Sequence, residues 1–275
     1  MKLLVAFYGR NQPDDSAAAL VEWQRWVAES FGDATHLWAT FAMKPEGLRN
    51  DKAYGIARYK AALDDQVARG NVTHLTLTSM ASNPKGYIAF EWDWTATLGL
   101  ADERFGPIFV VGLDVGENRG IGCGLAERCE SIATPMIGSE YGFAATFPQD
   151  FMPAGYAIGL ACSGADEAFV YDANAWTRFA GKECGRSIRN VFGYNILNPK
   201  HLDIDVGGQR LESWIRTSSD RGRLEPHEYG LILWTFQEGD DQAAFLHWDY
   251  PPVVAVREDL KRHRIFPWQR LPGVD

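Results

Sequence analysis

The order of hydrophobic and polar positions divides the chain into blocks that predict strands and helices. Residues 3–8 are mostly apolar, which is typical of a central strand covered on both faces. A helix is predicted from an acidic cap at Asp14 and Asp15 to about Phe31. Its apolar positions recur at helical spacing and share one face: Leu20, Trp23, Val27 and Phe31.

Further strand and helix signals follow up to residue 113. Strands are predicted at residues 36–43, 74–80 and 107–113, and a helix at residues 51–69. The strongest strand signal is at residues 88–98, where one side of the alternation is apolar and the other carries Glu91, Asp93, Thr95 and Thr97. This pattern predicts a sheet with one buried face and one acidic, solvated face.

The second half of the chain has weaker signals. Glycines are frequent from residue 114 to 142, where a helix is predicted at 125–132. Strands are predicted near residues 156–162 and 168–171, and a helix at 175–189. The apolar run 229–237, the acidic turn 238–241 and residues 243–248 together predict a hairpin. A last helix is predicted after Asp249, which would cap it, with Pro251 in its first turn.

Strands and helices do not alternate regularly, and the chain has no repeat of 20–50 residues. This favours an α+β fold, with a mixed, mainly antiparallel sheet and helices packed on one side. We expect residues 1–275 to form a single compact domain. Two related lobes, with a seam near residues 114–142, are the alternative.

Residues 191–215 carry the most organised pattern of the chain. A β-rich run ends at Asn198-Pro199, since proline donates no ladder hydrogen bond and holds the preceding residue extended. A short acidic segment follows, and Gly207-Gly208 then breaks the chain. A helix is predicted next, with three apolar residues on one face: Leu211, Trp214 and Ile215.

This stretch resembles bacterial polymorphic-toxin immunity proteins, in particular those encoded beside type VI secretion nuclease toxins of restriction-endonuclease fold. The shared features are N-x-L-N-x-x-H-L from Asn195, then the glycine pair, then L-x-x-W-I from Leu211. The resemblance is firmest from about residue 190 to 260, extends to the N-terminal strand and helix, and is thin between 110 and 185. It implies a protein that binds and silences a cognate nuclease toxin without catalysis, and it does not indicate the binding face.

Charge agrees with a basic partner. The chain has 36 Asp and Glu against 27 Lys and Arg, a net charge of −9. Such a surface repels phosphates and argues against direct binding to nucleic acid. It suits a basic protein, although the same charge also serves ordinary solubility.

The candidate partner-facing residues are carboxylates in predicted turns and on the predicted solvated strand face. They are Asp203, Asp205, Glu238, Asp240 and Asp241, with Glu91 and Asp93 behind them. For each residue, the competing explanation is an ordinary solvated carboxylate.

Metal and phosphate sites are the first alternatives. His201, Asp203 and Asp205 would point the same way in an extended segment, and His247 and Asp249 share that spacing. The sequence places no further ligands beside either group, so we predict no metal and no cofactor. Residues 114–124 contain G-x-G-x-G, but six residues separate it from the preceding strand, so a flexible surface loop is favoured over a phosphate cradle.

Catalytic signals are weak, and a small-molecule-binding or hydrolytic α+β enzyme is the second hypothesis. Cys162-Ser163-Gly164 is only faintly similar to a nucleophile elbow. The four cysteines, at 123, 129, 162 and 184, form no C-x-x-C pair, and we expect buried reduced thiols. The N-terminal apolar run is too short for a signal peptide, and no stretch approaches the roughly 20 apolar residues of a membrane span, so we expect a cytoplasmic protein.

Overall fold

The computed structural model describes residues 1–32, 36–43, 49–80, 92–102, 106–116, 122–149, 153–159, 167–237 and 244–270. These residues form a ten-stranded sheet, a separate two-stranded ribbon, and helices on both faces of the large sheet. The architecture is α+β, as the sequence predicts.

The strands are β1 Lys2–Gly9, β2 Leu37–Met43, β3 Arg49–Gly55, β4 Val72–Ser79, β5 Trp94–Asp102, β6 Gly106–Asp114, β7 Ser139–Phe147, β8 Tyr194–Leu197, β9 Asp205–Val206, β10 Gln209–Arg210, β11 Arg223–Pro226 and β12 Ile232–Thr235. The helices are α1 Ser16–Phe31, α2 Ile56–Ala68, α3 Gly122–Ile137, α4 Pro153–Ala157, α5 Glu167–Glu183, α6 Leu211–Arg216 and α7 Pro251–Arg262.

The large sheet has the order β11-β12-β8-β7-β1-β6-β5-β4-β2-β3, and every neighbouring pair is antiparallel. Strand β1 lies near the middle, and all eight of its residues are buried. Its near-continuous apolar sequence is therefore explained by cover on both faces. In this register Phe7 lies opposite Phe109 of β6 and Gly142 of β7.

Helices cover both faces of the sheet, so the prediction of helices on one side is wrong. On the Phe7 side, Trp26 of α1 packs against Phe109 with ring centroids 5.4 Å apart. On the opposite side, Trp176 of α5 packs against Tyr8 with ring centroids 5.1 Å apart. Successive strand residues point to opposite faces, so these two contacts lie on different sides of one sheet.

The solvated face predicted for the strand around residue 95 is also absent from the described part of β5. Thr95 and Thr97 are each only 5% exposed. Their hydroxyls pair across the strands with Thr78 at 3.1 Å and with Thr76 at 2.8 Å. Threonine satisfies its own polar atom in such a pair, so a polar strand side can be buried without cost from an unpaired hydroxyl.

The domain boundaries predicted from sequence are not tested by these contacts. The large sheet takes strands from both sides of the segment 114–142, and β1 lies between β6 and β7. The single-domain expectation and its two-lobe alternative therefore stay predictions.

Several predicted elements are confirmed with their local chemistry. Helix α1 begins after Asp15, whose carboxylate accepts a hydrogen bond from the Ala18 N–H at 2.9 Å. Strand β8 ends at Leu197, directly before Asn198-Pro199. The predicted inward faces are buried in α6 and α7, at Leu211, Trp214, Ile215, Val253, Val256 and Leu260.

Other elements differ from the prediction because periodicity in short apolar runs is ambiguous. Residues 49–55 form β3, where a helix was predicted from residue 51. Strand β7 is missed because all its residues except Glu140 are buried, on both faces of the sheet, which removes the alternation of apolar and polar positions. The strands predicted near 156–162 and 168–171 overlap helices α4 and α5. In α5, helical spacing is visible in the buried set Phe169, Ala173 and Trp176.

The hairpin predicted after residue 237 is also wrong. Strand β12 pairs with β11 and β8, and residues 244–246 form a 3-10 turn. Asp249 does not cap α7, because Tyr250 holds the cap position and the Asp249 carboxylate contacts the His247 imidazole. Proline at the start of α7 needs no donor partner, so this helix begins without a side-chain cap.

The core contains a buried ion pair between Arg189 and Asp172. Arg189 is 0% exposed, and its Nε lies 3.3 Å from both carboxylate oxygens of Asp172. Its Nη atoms donate to the Tyr8 hydroxyl at 2.8 Å, to the Ala157 carbonyl at 3.1 Å and to the Tyr156 carbonyl at 2.6 Å. The guanidinium also lies 3.8 Å from the centroid of the Tyr156 ring. One side chain therefore connects β1, α4 and α5.

We expect Arg189→Met to lower the free energy of unfolding by about 3–5 kcal/mol, because it leaves the buried Asp172 carboxylate without its counter-charge. Chemical denaturation measures this change. Arg186→Met is the matched control, since Arg186 is exposed and its loss should cost no more than about 0.5 kcal/mol. Equal, small effects of the two substitutions would contradict a stabilising role for the pair.

Candidate partner-binding surface

Asp203 and Asp205 are exposed, but each carboxylate already has a local partner. Asp203 is 66% exposed at its side chain, and its Oδ1 lies 2.7 Å from Nη2 of Arg210. Asp205 accepts a hydrogen bond from the Gly208 N–H at 2.7 Å, which caps the turn between β9 and β10. Their role in partner binding stays a prediction, and the Arg210 contact reduces the charge that Asp203 presents.

The remaining acidic candidates fall elsewhere. Glu91, Glu238, Asp240 and Asp241 lie outside the described residues. Asp93 is half-buried just before β5, where its N–H donates to the Ser79 carbonyl at 2.9 Å and its carbonyl accepts from Asp114 at 2.7 Å. The Ser79 hydroxyl also lies 3.5 Å from the Asp93 carboxylate. Asp93 thus extends the ladder at the N-terminal end of β5, between β4 and β6.

The structure separates His201 from the two aspartates with which it was grouped. Residues Pro199–Asp203 form a 3-10 turn, and His201 is fully buried inside it. Its Nδ1 accepts from the Asn198 N–H at 3.1 Å, so Nε2 carries the proton donated to the Cys184 carbonyl at 2.8 Å. Burial lowers the pKa of His201 to about 4. Both ring nitrogens are used, which leaves none to bind a metal.

Metal and nucleophile sites gain no support from the rest of the described chain. Within the described ranges, no group of three or more His, Cys, Asp or Glu side chains is placed to hold a metal ion. Cys129 and Cys184 are buried free thiols, as predicted, and burial raises the pKa of Cys184 to about 12, which disfavours the reactive thiolate. The segments 117–121 and 160–166, with the suggested phosphate loop and nucleophile, lie outside the described residues. Gly122 and Gly124 already belong to α3 and not to a loop.

A polar cleft of about 670 Å³ opens where the β1–α1 loop meets the end of α3. Its lining includes the side chains of Arg10, Gln12, Asp14 and Thr134. Arg10 lies 3.8 Å from Glu140 and is largely exposed. The lining residues include no histidine or cysteine, so the cleft offers polar contacts but no obvious nucleophile–base pair.

Sequence reasoning missed the tip of the β11–β12 hairpin, residues 227–231, which we call the hairpin tip. Tyr229 lies at the centre of the hairpin tip, is 58% exposed, and has φ 57° and ψ 20°. Gly230 follows with φ 73°. The tip is closed by a hydrogen bond from the Leu231 N–H to the Glu228 carbonyl at 3.1 Å, and by one from the His227 N–H to the Leu231 carbonyl at 2.9 Å. Tyr229 was predicted to begin a buried strand, although Gly230 beside it is a turn signal.

The hairpin tip is fixed to the body of the protein through Glu130 of α3. His227 Nε2 lies 2.8 Å from Glu130 Oε2, and the Tyr194 hydroxyl of β8 approaches the same oxygen at 3.5 Å. Burial raises the pKa of Glu130, and the neighbouring His227 opposes this rise. The tip is therefore held against α3 by the contact of His227 with Glu130 and does not depend on its own hydrogen bonds alone.

Comparisons with known proteins add little. No family model and no curated protein matches the sequence. Among solved structures, the Pseudomonas aeruginosa type VI secretion system (T6SS) protein PA0821 is similar, with 13% sequence identity, a TM-score of 0.49, and a match that covers 96% of this chain and 73% of that chain. At this level the likeness neither establishes a common fold nor bears on function. Within the described residues, none of the helices combines the length and apolar character that crossing a membrane requires.

The buried His201 predicts a loss of stability in acid. Well above pH 6.5 the His201 imidazole is neutral in both the folded and the unfolded protein, so its burial does not lower the free energy of unfolding. As the pH falls from about 6.5 to about 4, the unfolded chain takes up a proton that the folded protein refuses, and the free energy of unfolding falls by about 3 kcal/mol.

The measurement is chemical denaturation of wild type and His201→Gln at several pH values in this window. The variant should have a flatter profile, and the difference between the two profiles assigns the effect to this residue. His263→Gln, which removes an exposed histidine, is the control and should keep the wild-type slope. Parallel profiles for wild type and His201→Gln would refute the assignment.

Proposed function

We propose that this protein is an immunity protein that binds and neutralises a cognate secreted nuclease toxin and performs no catalysis of its own. The observation that carries the proposal is the excess of nine negative charges on a chain whose motifs resemble immunity proteins. Nuclease toxins need basic grooves for phosphates, so an acidic protein can compete for the surface that nucleic acid uses.

The residues of the resemblance are part of the scaffold. Asn195 is fully buried. Its Oδ1 accepts a hydrogen bond from the Phe192 N–H at 3.0 Å, and its Nδ2 donates one to the Phe192 carbonyl at 2.6 Å. His201 is buried as described, and Trp214 is buried in α6. A resemblance carried by buried residues supports a similar core, and it leaves the exposed surface free to differ between immunity proteins that bind different toxins.

Long-range attraction and tight binding call for different features of the surface. Net charge of opposite sign mainly raises the rate of association, and salt screens this effect. A long-lived complex needs a few well-packed anchors, most often aromatic side chains surrounded by polar groups. The acidic composition supplies the long-range attraction, and an exposed aromatic residue on a fixed loop can supply the anchor.

Co-expression tests the proposal. The toxin encoded beside this gene would be expressed in a sensitive bacterial host with and without this protein. Survival together with a stable co-eluting complex is the expected outcome. Death of the host at comparable expression of both proteins would reject cognate immunity against that toxin.

We expect Asp240 and Asp241, which lie outside the described residues, to steer association. We expect the double substitution of both residues by lysine to slow association at low salt and to make it less salt-sensitive. Stopped-flow or surface binding kinetics at several salt concentrations measure this. The matched control is Glu22→Lys with Glu29→Lys on the exposed face of α1, which makes the same change in net charge. Equal slowing by both pairs would assign the effect to total charge and remove Asp240 and Asp241 from the interface.

A small-molecule-binding or hydrolytic enzyme remains the second candidate, favoured by the polar cleft between the β1–α1 loop and α3. The His201 side chain is buried and does not face this cleft, so it lends no support to this candidate. Turnover of a small molecule that is abolished by Asp14→Ala would favour this candidate over immunity.

A further inference from the structure

Tyr229 occupies a backbone position that suits tyrosine poorly. The turn from Glu228 to Leu231 has positive φ at both central residues, as in a type I′ turn. Asparagine followed by glycine is favoured there, because side chains larger than glycine seldom adopt positive φ and asparagine tolerates it best. Gly230 fits this preference and Tyr229 does not. Strain of this kind, retained in a fixed structure, points to a function for the residue.

The second observation is the exposure of the ring. In the described part of the chain, the exposed large hydrophobic residues are Tyr229 and Val21, at 58% and 51%. Within that part, no hydrogen bond or ring contact of the Tyr229 side chain is found that would explain it as a packing residue. Its ring therefore contributes little to the fold from the position it holds.

The third observation is that the ring is presented on a preorganised support. The two backbone hydrogen bonds of the hairpin tip and the contact of His227 with Glu130 fix the loop before any partner arrives. An aromatic side chain has only two rotatable bonds, so its immobilisation on binding costs little entropy. Fixed aromatic side chains of this kind are typical energetic centres of protein interfaces.

The charges around the ring indicate the kind of partner. Glu228 directly precedes Tyr229 and is exposed, and within the described residues it has no ion pair. Glu225 of β11 is also exposed, with Arg223 3.9 Å away as a weak partner. The unpaired charge next to the tyrosine is therefore the Glu228 carboxylate, and a complementary partner would carry a basic residue opposite it.

We propose that Tyr229 is the anchor through which this protein docks on its partner, entering an apolar socket of a protein whose rim around that socket is basic. The identity of the partner rests on the proposed function, with the cognate nuclease toxin as the occupant. Glu228 contributes attraction at the edge of the contact, and the clamp between His227 and Glu130 positions the loop.

The test compares the affinity of purified toxin for wild type, Tyr229→Asn and Tyr229→Phe by titration calorimetry and binding kinetics. Asparagine suits the turn, so Tyr229→Asn should keep or raise the melting temperature while affinity falls on the order of 30-fold or more, mainly through faster dissociation. Tyr229→Phe keeps the ring and should retain affinity within about 5-fold. Tyr229→Gly also tolerates positive φ and provides the same reading if the asparagine variant folds poorly.

Val21→Ser removes the other large hydrophobic side chain that is exposed in the described part of the chain. It is the matched control, with an expected change of no more than about 3-fold. Wild-type affinity in Tyr229→Asn and Tyr229→Gly, with wild type itself binding the toxin, would overturn the anchor and leave the immunity proposal standing. A wild-type protein that neither binds the toxin nor protects the host would overturn both proposals. Loss of affinity in the asparagine variant at an unchanged melting temperature would support the anchor.

Discussion

The burial of the Arg189 charge constrains the packing of one whole face of the sheet. A guanidinium taken out of water is stable only where its donors and its charge are satisfied. Here that requires Tyr8 of β1, Asp172 of α5 and the carbonyls of α4 to converge on one point. A displacement of α5 would leave the buried charge unpaired, and a displacement of β1 or α4 would leave buried guanidinium donors without acceptors. The buried guanidinium therefore selects one arrangement of strand and helices.

The residues that resemble immunity proteins support the fold, and they are not the exposed residues that could contact a partner. The residues that carry the resemblance, such as Asn195 and Trp214, are buried and satisfy backbone groups or fill the core. The hairpin tip belongs to the same region of the chain but is built from residues outside that pattern. Core residues are constrained by packing, whereas an exposed residue such as Tyr229 can be selected for contact with a partner.

The acidic residues show why composition alone is a poor guide to a binding face. Asp203 forms an ion pair with Arg210, and Asp205 accepts a hydrogen bond that caps a turn, so both carboxylates already have partners within the protein. Glu228 has no ion pair within the described residues and stands beside the strained tyrosine. Net charge therefore describes how partners approach, and local geometry describes where they are held.

The fold class and the elements with strong local signals could be predicted from the amino-acid sequence. Helices α1, α6 and α7 and the end of β8 are such elements, because caps, prolines and helical spacing act over a few residues. Tertiary structure decided the cover on both faces, the strand β7 and the burial of His201, because each depends on distant neighbours that replace water. It also decided the exposed position of Tyr229. An apolar run signals burial in a sequence, and only the pairing of β11 with β12 turned this residue outward.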